Sequence, residues 1–230
     1  FIKQISLDSC PEQILIDYDA QKAYITSPKA STIYVLDIQS MSLVQKIKVN
    51  GYIEHLILAE DKMFYVDKLR NEIWAIEINK DYELKDIGSF PNVSALAFSN
   101  NKLFISSRTK SRIAVIDYNT FGLMSEFTTV NKPIDMLLFN NTIFVLGAQN
   151  NEIQMLNTET NDSNGIIQLN TGGFSNNINK INNSDLAVVS DIKNNNYSII
   201  DLKNAKLLKT YSVNIPIKDV VITEKVKLFK

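Results

Sequence analysis

Five short apolar segments recur along the chain at a nearly constant interval. Each ends at Asp, Glu or Asn, and they span residues 33–37, 73–77, 113–117, 153–157 and 197–201. Their first residues are separated by 40, 40, 40 and 44 positions. A repeat of about 40 residues that contains several short strands is typical of a propeller blade. The spacing therefore predicts an array of one supersecondary unit.

Three further sets of apolar runs keep the same spacing. One set precedes the first by about nine residues, at 23–27, 63–67, 103–107, 143–147, 186–190 and 226–229. Before it lie runs typical of a strand buried on both faces, at 14–17, 56–58, 95–98, 136–139, 178–181 and 220–222. Alternating runs typical of a strand with one wet face close each unit, at 43–49, 84–90, 123–130, 166–169 and 207–213. Each unit is thus predicted to have four antiparallel strands, a to d.

This pattern predicts an all-β protein, a β-propeller of four-stranded blades with five complete blades and a partial sixth. The predicted bounds, all within one domain of residues 1–230, are near 8–49, 50–90, 91–130, 131–170 and 171–214, with 215–230 and 1–7 in the partial blade. Segment 1–7 resembles a d strand and would close the ring, which hides sheet edges. The last blade then lacks a c strand. Either it has three strands or the native chain is longer, and we expect the longer chain.

Asn and Asp residues cluster between the predicted strands, where their side chains bond locally to the backbone in turns. Asp37, Asp117 and Asp201 recur at the end of the c strands and could be read as a series of metal ligands. Every blade needs a turn at this position, however, and we expect these carboxylates to cap turns. On the b strands, Phe64, Phe104 and Phe144 recur at 40-residue steps, and we expect them to pack between neighbouring blades.

The stretch 11–49 resembles the repeat of the YVTN β-propeller family, which is related to the NHL and lactonase-like propellers. It carries Ala23-Tyr-Ile-Thr26, the strand Ile33-Tyr-Val-Leu-Asp37 and the run Val44–Val49. The resemblance covers essentially the whole chain as degenerate copies. Ser27 stands where the family motif has Asn, so no family-wide binding motif is carried over. The resemblance implies a propeller that serves, as in most YVTN-type proteins, for non-enzymatic binding or scaffolding.

Composition removes several classes of function. The chain has 24 Lys and Arg against 25 Asp and Glu, with no basic run, so nucleic-acid binding has no electrostatic support. No apolar stretch approaches the length of a membrane span. His55 is the only histidine, which excludes a site that needs several. The Gly172-Gly173 pair is read as a turn between blades. Cys10 is the only cysteine, and we expect a bacterial protein of the periplasm or the extracellular space, with the cytoplasm as the alternative.

Loop geometry gives the candidate site. In a propeller, the d-to-a and b-to-c connections share one face, and the residues before each a strand surround the mouth of the central channel. The expected binding face consists of polar mouth residues and basic loop residues: Glu12, Glu54, His55, Asp135, Asn177, Lys218, Lys68, Arg70, Arg108, Lys110 and Arg112. A simpler interpretation is that loop ends are polar because they contact water.

Two functions are consistent with this face. The first is a binding or scaffolding propeller that presents it to a protein, a glycan or a small ligand, with no cofactor. The second is a hydrolase similar to the six-bladed lactonases, in which a divalent cation such as calcium polarises a carbonyl. Its candidate ligands are Glu12, Glu54, Asp135, Asn176 and Asp219. The sequence favours the binding protein, because polar residues are expected at loop ends in any case.

Overall fold

A computed structural model describes residues 4–170, 172 and 174–214. The chain divides into two compact units, residues 1–93 and 94–230. The first unit holds two four-stranded sheets. One consists of β1 (Gln13–Asp17), β2 (Lys22–Ser27), β3 (Thr32–Asp37) and β4 (Ser42–Lys48). The other consists of β5 (Ile53–Ala59), β6 (Lys62–Asp67), β7 (Glu72–Glu77) and β8 (Glu83–Ser89). Two short 3-10 helices, Pro28–Ala30 and Ile78–Lys80, belong to this unit.

The second unit holds three more four-stranded sheets. The third sheet consists of β9 (Val93–Ser99), which begins at the unit boundary, β10 (Lys102–Ser107), β11 (Arg112–Asp117) and β12 (Leu123–Thr128). The fourth consists of β13 (Pro133–Phe139), β14 (Thr142–Gly147), β15 (Glu152–Asn157) and β16 (Ser163–Gln168). The fifth consists of β17 (Ser175–Lys180), β18 (Leu186–Asp191), β19 (Asn196–Asp201) and β20 (Lys206–Ser212). In every sheet, sequential strands are neighbours, as the four-strand repeat predicts.

The burial of the strands follows the hydrophobic pattern. The second strand of a sheet is buried along nearly its whole length, as β6 is, whereas the outer strand β4 alternates between buried or half-buried and exposed positions. Hairpin turns use residues that tolerate the left-handed region: Asn100, Asn101 and Asn140 all have a φ between 51° and 56°. The local sequence thus accounts for both the strands and their connections.

Each core lies between neighbouring sheets. In the first unit, Tyr24 and Val35 of the first sheet pack with Met63 and Tyr65 of the second. In the second unit, Phe104 belongs to a cluster shared by the third and fourth sheets, and Phe144 to one shared by the fourth and fifth. Both rings are 1% exposed, and Phe64 is fully buried. The expected packing of Phe104 and Phe144 between sheets is confirmed.

The starts of the inner strands differ from the prediction. Glu54, His55, Asp135, Asn176 and Asn177 were expected in connections before the strands, but they lie inside β5, β13 and β17. Each of these strands carries a register shift near its start, where an extra residue interrupts the apolar pattern and makes a strand look like a loop.

A second difference concerns Arg112, which was expected in a b-to-c loop. It is the first residue of β11, where it pairs with Thr128 of β12.

The partial sixth blade stays a prediction. Residues 4–7 form no regular strand, and residues 1–3 and 215–230 lie outside the described part of the chain. No helix among the described residues has the length and apolar character needed to cross a membrane.

Candidate functional site

Four of the polar residues near the strand starts occupy one equivalent position. In the first sheet, Leu15 of the first strand pairs with Tyr24 in the middle of the second strand, and Gln13 lies two residues before Leu15. The same position, two residues before the equivalent of Leu15, is occupied in three other sheets by His55, Asp135 and Asn177. Glu12, Glu54 and Asn176 lie one residue before this position. The described candidate ligands therefore occupy two successive positions of the repeat, with Asp135 at one and Glu12, Glu54 and Asn176 at the other.

At this position, side chains join one sheet to the next. The Gln13 amide donates to the Leu56 carbonyl at 2.9 Å, and the Leu56 N–H donates to Gln13 Oε1 at 3.1 Å. Asp135 accepts the N–H of Ile178 in the fifth sheet at 2.9 Å and that of Met136 at 2.8 Å. These carboxylate and amide groups thus link the first strands of neighbouring sheets by hydrogen bonds from a side chain to the backbone, and each such link is called a clasp below.

The expected site residues of the first unit form ion pairs and hydrogen bonds with one another. Lys68 Nζ lies 2.6 Å from Glu54 Oε1, and His55 Nε2 lies 3.8 Å from the other oxygen of Glu54. The pKa of Lys68 is raised, mainly because it donates this hydrogen bond to Glu54. The Tyr52 hydroxyl donates to Glu12 at 3.3 Å. Both candidate acids of this unit already accept hydrogen bonds, and the Glu54 carboxylate is also paired with the Lys68 ammonium.

Two of the three arginines of the expected binding face also form ion pairs. Arg70 lies 3.2 Å from Asp67, a fully buried carboxylate that also accepts the N–H groups of Tyr52 and Leu69. Arg112 lies 3.3 Å from Glu126 across β11 and β12. These pairs order the turn after β6 and the edge of the third sheet.

Within the described residues, no three His, Cys, Asp or Glu side chains form a group that could hold a metal ion. Lys218 and Asp219 of the expected site lie outside those residues.

The second unit contains a cleft of about 540 Å³. Its walls come from the connections of three successive sheets and from the starts of β13 and β17. The lining residues are Arg108, Thr109, Lys132, Ile134, Ala148, Gln149, Phe174, Ser175, Asn176, Ile192 and Lys193. These connections are of the d-to-a and b-to-c types, which are expected to share one face. A volume of this size is typical of a small-molecule site.

The cleft combines positive charge with apolar surface. Arg108, Lys132 and Lys193 line it, and none of the lining residues is acidic. The Lys193 ammonium lies 3.6 Å from the centre of the Phe174 ring, a cation–π contact that holds the charge beside an apolar wall. Phe174 is nevertheless 48% exposed. The aromatic ring and the cation therefore face the same space.

One wall of the cleft carries an unsatisfied hydroxyl. Ser175 is 6% exposed, and its Oγ has no hydrogen-bond partner in the described structure. A buried polar group without a partner costs about 1–3 kcal/mol. Because the Oγ atom is itself enclosed, this hydroxyl belongs to the interior of the cleft wall and not to the surface that a ligand would contact.

Phe174 also borders a second cavity, of about 350 Å³, which Gly172 and Asn151 help to line. A Cβ at Gly172 would lie 2.6 Å from Asn194 Nδ2, and that amide donates to the buried Asp191 at 2.8 Å. The glycine lets the segment before β17 approach this turn closely. The interpretation of Gly172 as part of a connection between sheets agrees with this contact.

Of the predicted site residues, Arg108 and Asn176 line the cleft. Lys110 lies in the same turn as Arg108 but does not line it. Sequence reasoning missed Lys132, Phe174 and Ser175, which lie in or beside the d-to-a connections. The sequence signal is an aromatic residue directly after the Gly172-Gly173 pair, and a glycine pair by itself predicts only a turn.

Comparison with solved structures shows the fold. A virginiamycin B lyase from Staphylococcus aureus is 20% identical with a TM-score of 0.75, over 91% of this chain and 72% of that one. A streptogramin B lyase is 19% identical with a TM-score of 0.75, over 92% and 72% of the two chains. The dihydro-heme d1 dehydrogenase NirN, in complex with DHE, is 15% identical with a TM-score of 0.67, over 88% and 47%.

No protein-family model matches the chain, and a search of curated proteins found no match. The YVTN resemblance is thus not confirmed by a family model. The two lyases are β-propellers, and at this level of identity the likeness shows the fold alone. Since a lyase and a dehydrogenase share it, the fold does not identify an activity. The chain has a β-propeller fold built from four-stranded antiparallel sheets.

Proposed function

We propose that this chain is a ligand-binding β-propeller and that its binding site is the cleft of the second unit. The single observation that carries the proposal is the Phe174 ring, which is 48% exposed in the cleft wall and has the Lys193 ammonium 3.6 Å from its centre. Aromatic and apolar side chains around a few placed polar or charged groups are the usual lining of a small-molecule site.

Binding without catalysis is favoured by the residues that line the cleft. None of them is His, Asp, Glu or Cys, the side chains that most often serve as general acids, bases or nucleophiles. The arrangement can hold and orient a molecule, and it lacks the histidine or carboxylate that most often moves a proton in bond cleavage.

An enzyme remains the second candidate, because two of the similar structures are lyases. The form expected from the sequence is a divalent-metal-dependent hydrolase. Among its described candidate ligands, Glu12 accepts a hydrogen bond from a tyrosine, Glu54 contacts a lysine and a histidine, and Asp135 accepts backbone N–H groups. The fourth, Asn176, lines the cleft. A cation would have to displace these partners, so this candidate has less support.

A fragment screen tests the binding site. A library of aromatic fragments, both neutral and charged, is screened by ligand-observed NMR against the native chain and against Phe174→Ala. Phe174→Ala should lose the fragments that the native chain binds, because it removes the exposed apolar wall of the cleft.

The matched control is Leu69→Ala, which removes a 75% exposed apolar side chain from a turn of the first unit. It should bind the fragments as the native chain does, and thermal melts establish that both variants fold. Equal binding by the native chain and Phe174→Ala would contradict the assignment of the site. A library without any bound fragment would contradict the proposed function.

A further inference from the structure

We infer that the ligand of this cleft is a small organic anion, in which a carboxylate, sulfate or phosphate group is attached to an apolar body. The inference rests on the proposed function and adds the chemical class of the ligand. It follows from the charges, the hydrogen-bond donors and the apolar wall of the cleft.

The positive charges of the cleft have no acidic partner among the described residues. Arg108, Lys132 and Lys193 line it, and none of them forms an ion pair with a carboxylate in the described part of the chain. By contrast, Lys68 of the first unit and Arg112 of the second are paired. Three cations around one cavity repel each other, and an anion relieves that repulsion.

The neutral polar groups of the cleft are also suited to an anion. The Asn131 amide donates to Gln149 Oε1 at 3.1 Å, and within the described residues the Gln149 Nε2 group makes no hydrogen bond. The exposed Asn176 side chain also lines the cleft, and its amide group carries two N–H donors. Anionic oxygens accept such bonds, and hydrogen bonds to a charged acceptor are stronger than those to a neutral one.

The apolar wall determines the rest of the ligand. Phe174 and Ile192 are 48% and 41% exposed, and Lys193 lies over the Phe174 ring. A molecule with an aromatic or aliphatic body would cover these two side chains while its charged group reached the cations. An inorganic anion would leave the wall in water. The pattern therefore favours an organic anion over free phosphate or sulfate.

Matched probes test the charge. 2-Naphthoate, 2-naphthyl sulfate, 2-naphthyl phosphate and the neutral 2-naphthamide are titrated against the native chain by calorimetry or NMR at low ionic strength. We expect the best anion to bind about 10-fold more tightly than the amide, a difference of about 1.4 kcal/mol. Added salt should weaken the binding of the anion but not of the amide. The ranking of the three anions identifies the preferred head group.

Charge-removing variants locate the effect. Lys132→Met and Arg108→Met retain most of the apolar stem and should each weaken anion binding about two- to fivefold, the range for one exposed ion pair. Lys110→Met removes a cation from the same turn as Arg108, outside the cleft, and should change nothing. Binding of 2-naphthamide should be equal in all three variants.

The outcomes separate the two proposals. If the amide binds as tightly as every anion, the ligand class is wrong while the binding function stands. The same holds if Lys110→Met weakens anion binding as much as Lys132→Met does. If none of the four probes binds at millimolar concentration, and the fragment screen is also empty, both proposals are wrong.

Discussion

Carboxylates at the ends of the third strands serve the backbone. Asp37 accepts the N–H and the hydroxyl of Ser40, and Asp117 accepts the N–H and the hydroxyl of Thr120. Asp201 accepts the N–H of Asn204. The sequence prediction that these residues cap turns is confirmed. The pKa of Asp117 is lowered, chiefly by the Thr120 N–H and then by its hydroxyl, because both donate to the charged form.

Two substitutions of Asp117 should distinguish the contribution of its hydrogen bonds to the turn from the contribution of its charge. Asp117→Ala removes the acceptor and should lower the urea midpoint at neutral pH. Asp117→Asn should lose less, because Asn157 forms the same turn in the next sheet, accepting the N–H groups of Glu159 and Thr160 at 2.8 and 3.1 Å.

The pH dependence of these variants follows from the lowered pKa. The charged cap stabilises the fold fully above the pKa of the unfolded chain, near 4, and this stabilisation is lost as the pH falls through the native pKa. The difference between the native chain and Asp117→Asn should therefore shrink in acid. A constant difference between pH 7 and pH 3 would show that the charge has no role.

At the scale of the element, the joints between neighbouring sheets depend on polar side chains as well as on the apolar core. Gln13 reaches both backbone groups of Leu56, and Asp135 reaches the N–H of Ile178. Leu56 and Ile178 are each the fourth residue of their strand, so the two contacts between sheets occupy equivalent positions. Asp135 was a candidate metal ligand by its position in the sequence, and its described role is to hold β17 against β13.

This role can be tested at the level of one amide. Asp135→Ala leaves the Ile178 N–H without its acceptor and should destabilise the chain by about 1–3 kcal/mol, the cost of an unsatisfied buried donor. Hydrogen exchange should show reduced protection at the Ile178 amide before other amides of β17. Asp135→Asn retains one acceptor oxygen at the same reach and should restore part of the protection. Unchanged exchange at Ile178 in Asp135→Ala would mean that the clasp contributes nothing.

The bulged strands also show why element boundaries were misplaced. His55 has a φ of 52° inside β5, and a polar residue with that backbone is expected in a turn rather than in a strand. The apolar run began only at Leu56, so the sequence pattern started the strand three residues after its true start at Ile53. A bulge adds one residue to one strand and conceals the alternation on which the prediction depends.

At the scale of the whole molecule, repetition made the fold predictable, whereas the site was only partly predictable. Each strand signal is weak alone, but copies at a 40-residue spacing reinforce each other. The cleft has less repetition: Arg108 follows β10 as Lys68 follows β6, but Lys132 and Phe174, which directly precede β13 and β17, share a position without sharing a residue type. The sequence indicated which types of connection share a face. It could not show which of them enclose a cavity, because that depends on side chains from several sheets.

The divalent-cation alternative makes a prediction for the whole chain. A cation that binds only the folded state would stabilise it by about 2.7 kcal/mol at a hundredfold excess over Kd. We expect no such shift, because Glu12, Glu54 and Asp135 already have donors and no three suitable side chains cluster among the described residues. Thermal melts with Ca²⁺, Mg²⁺, Mn²⁺ or Zn²⁺ should therefore match melts with chelator. A shift in melting temperature that Asp219→Asn or Glu12→Gln abolished would contradict this expectation and favour the hydrolase. Hydrolysis of a lactone by the metal-loaded chain would then distinguish a catalytic cation from a structural one.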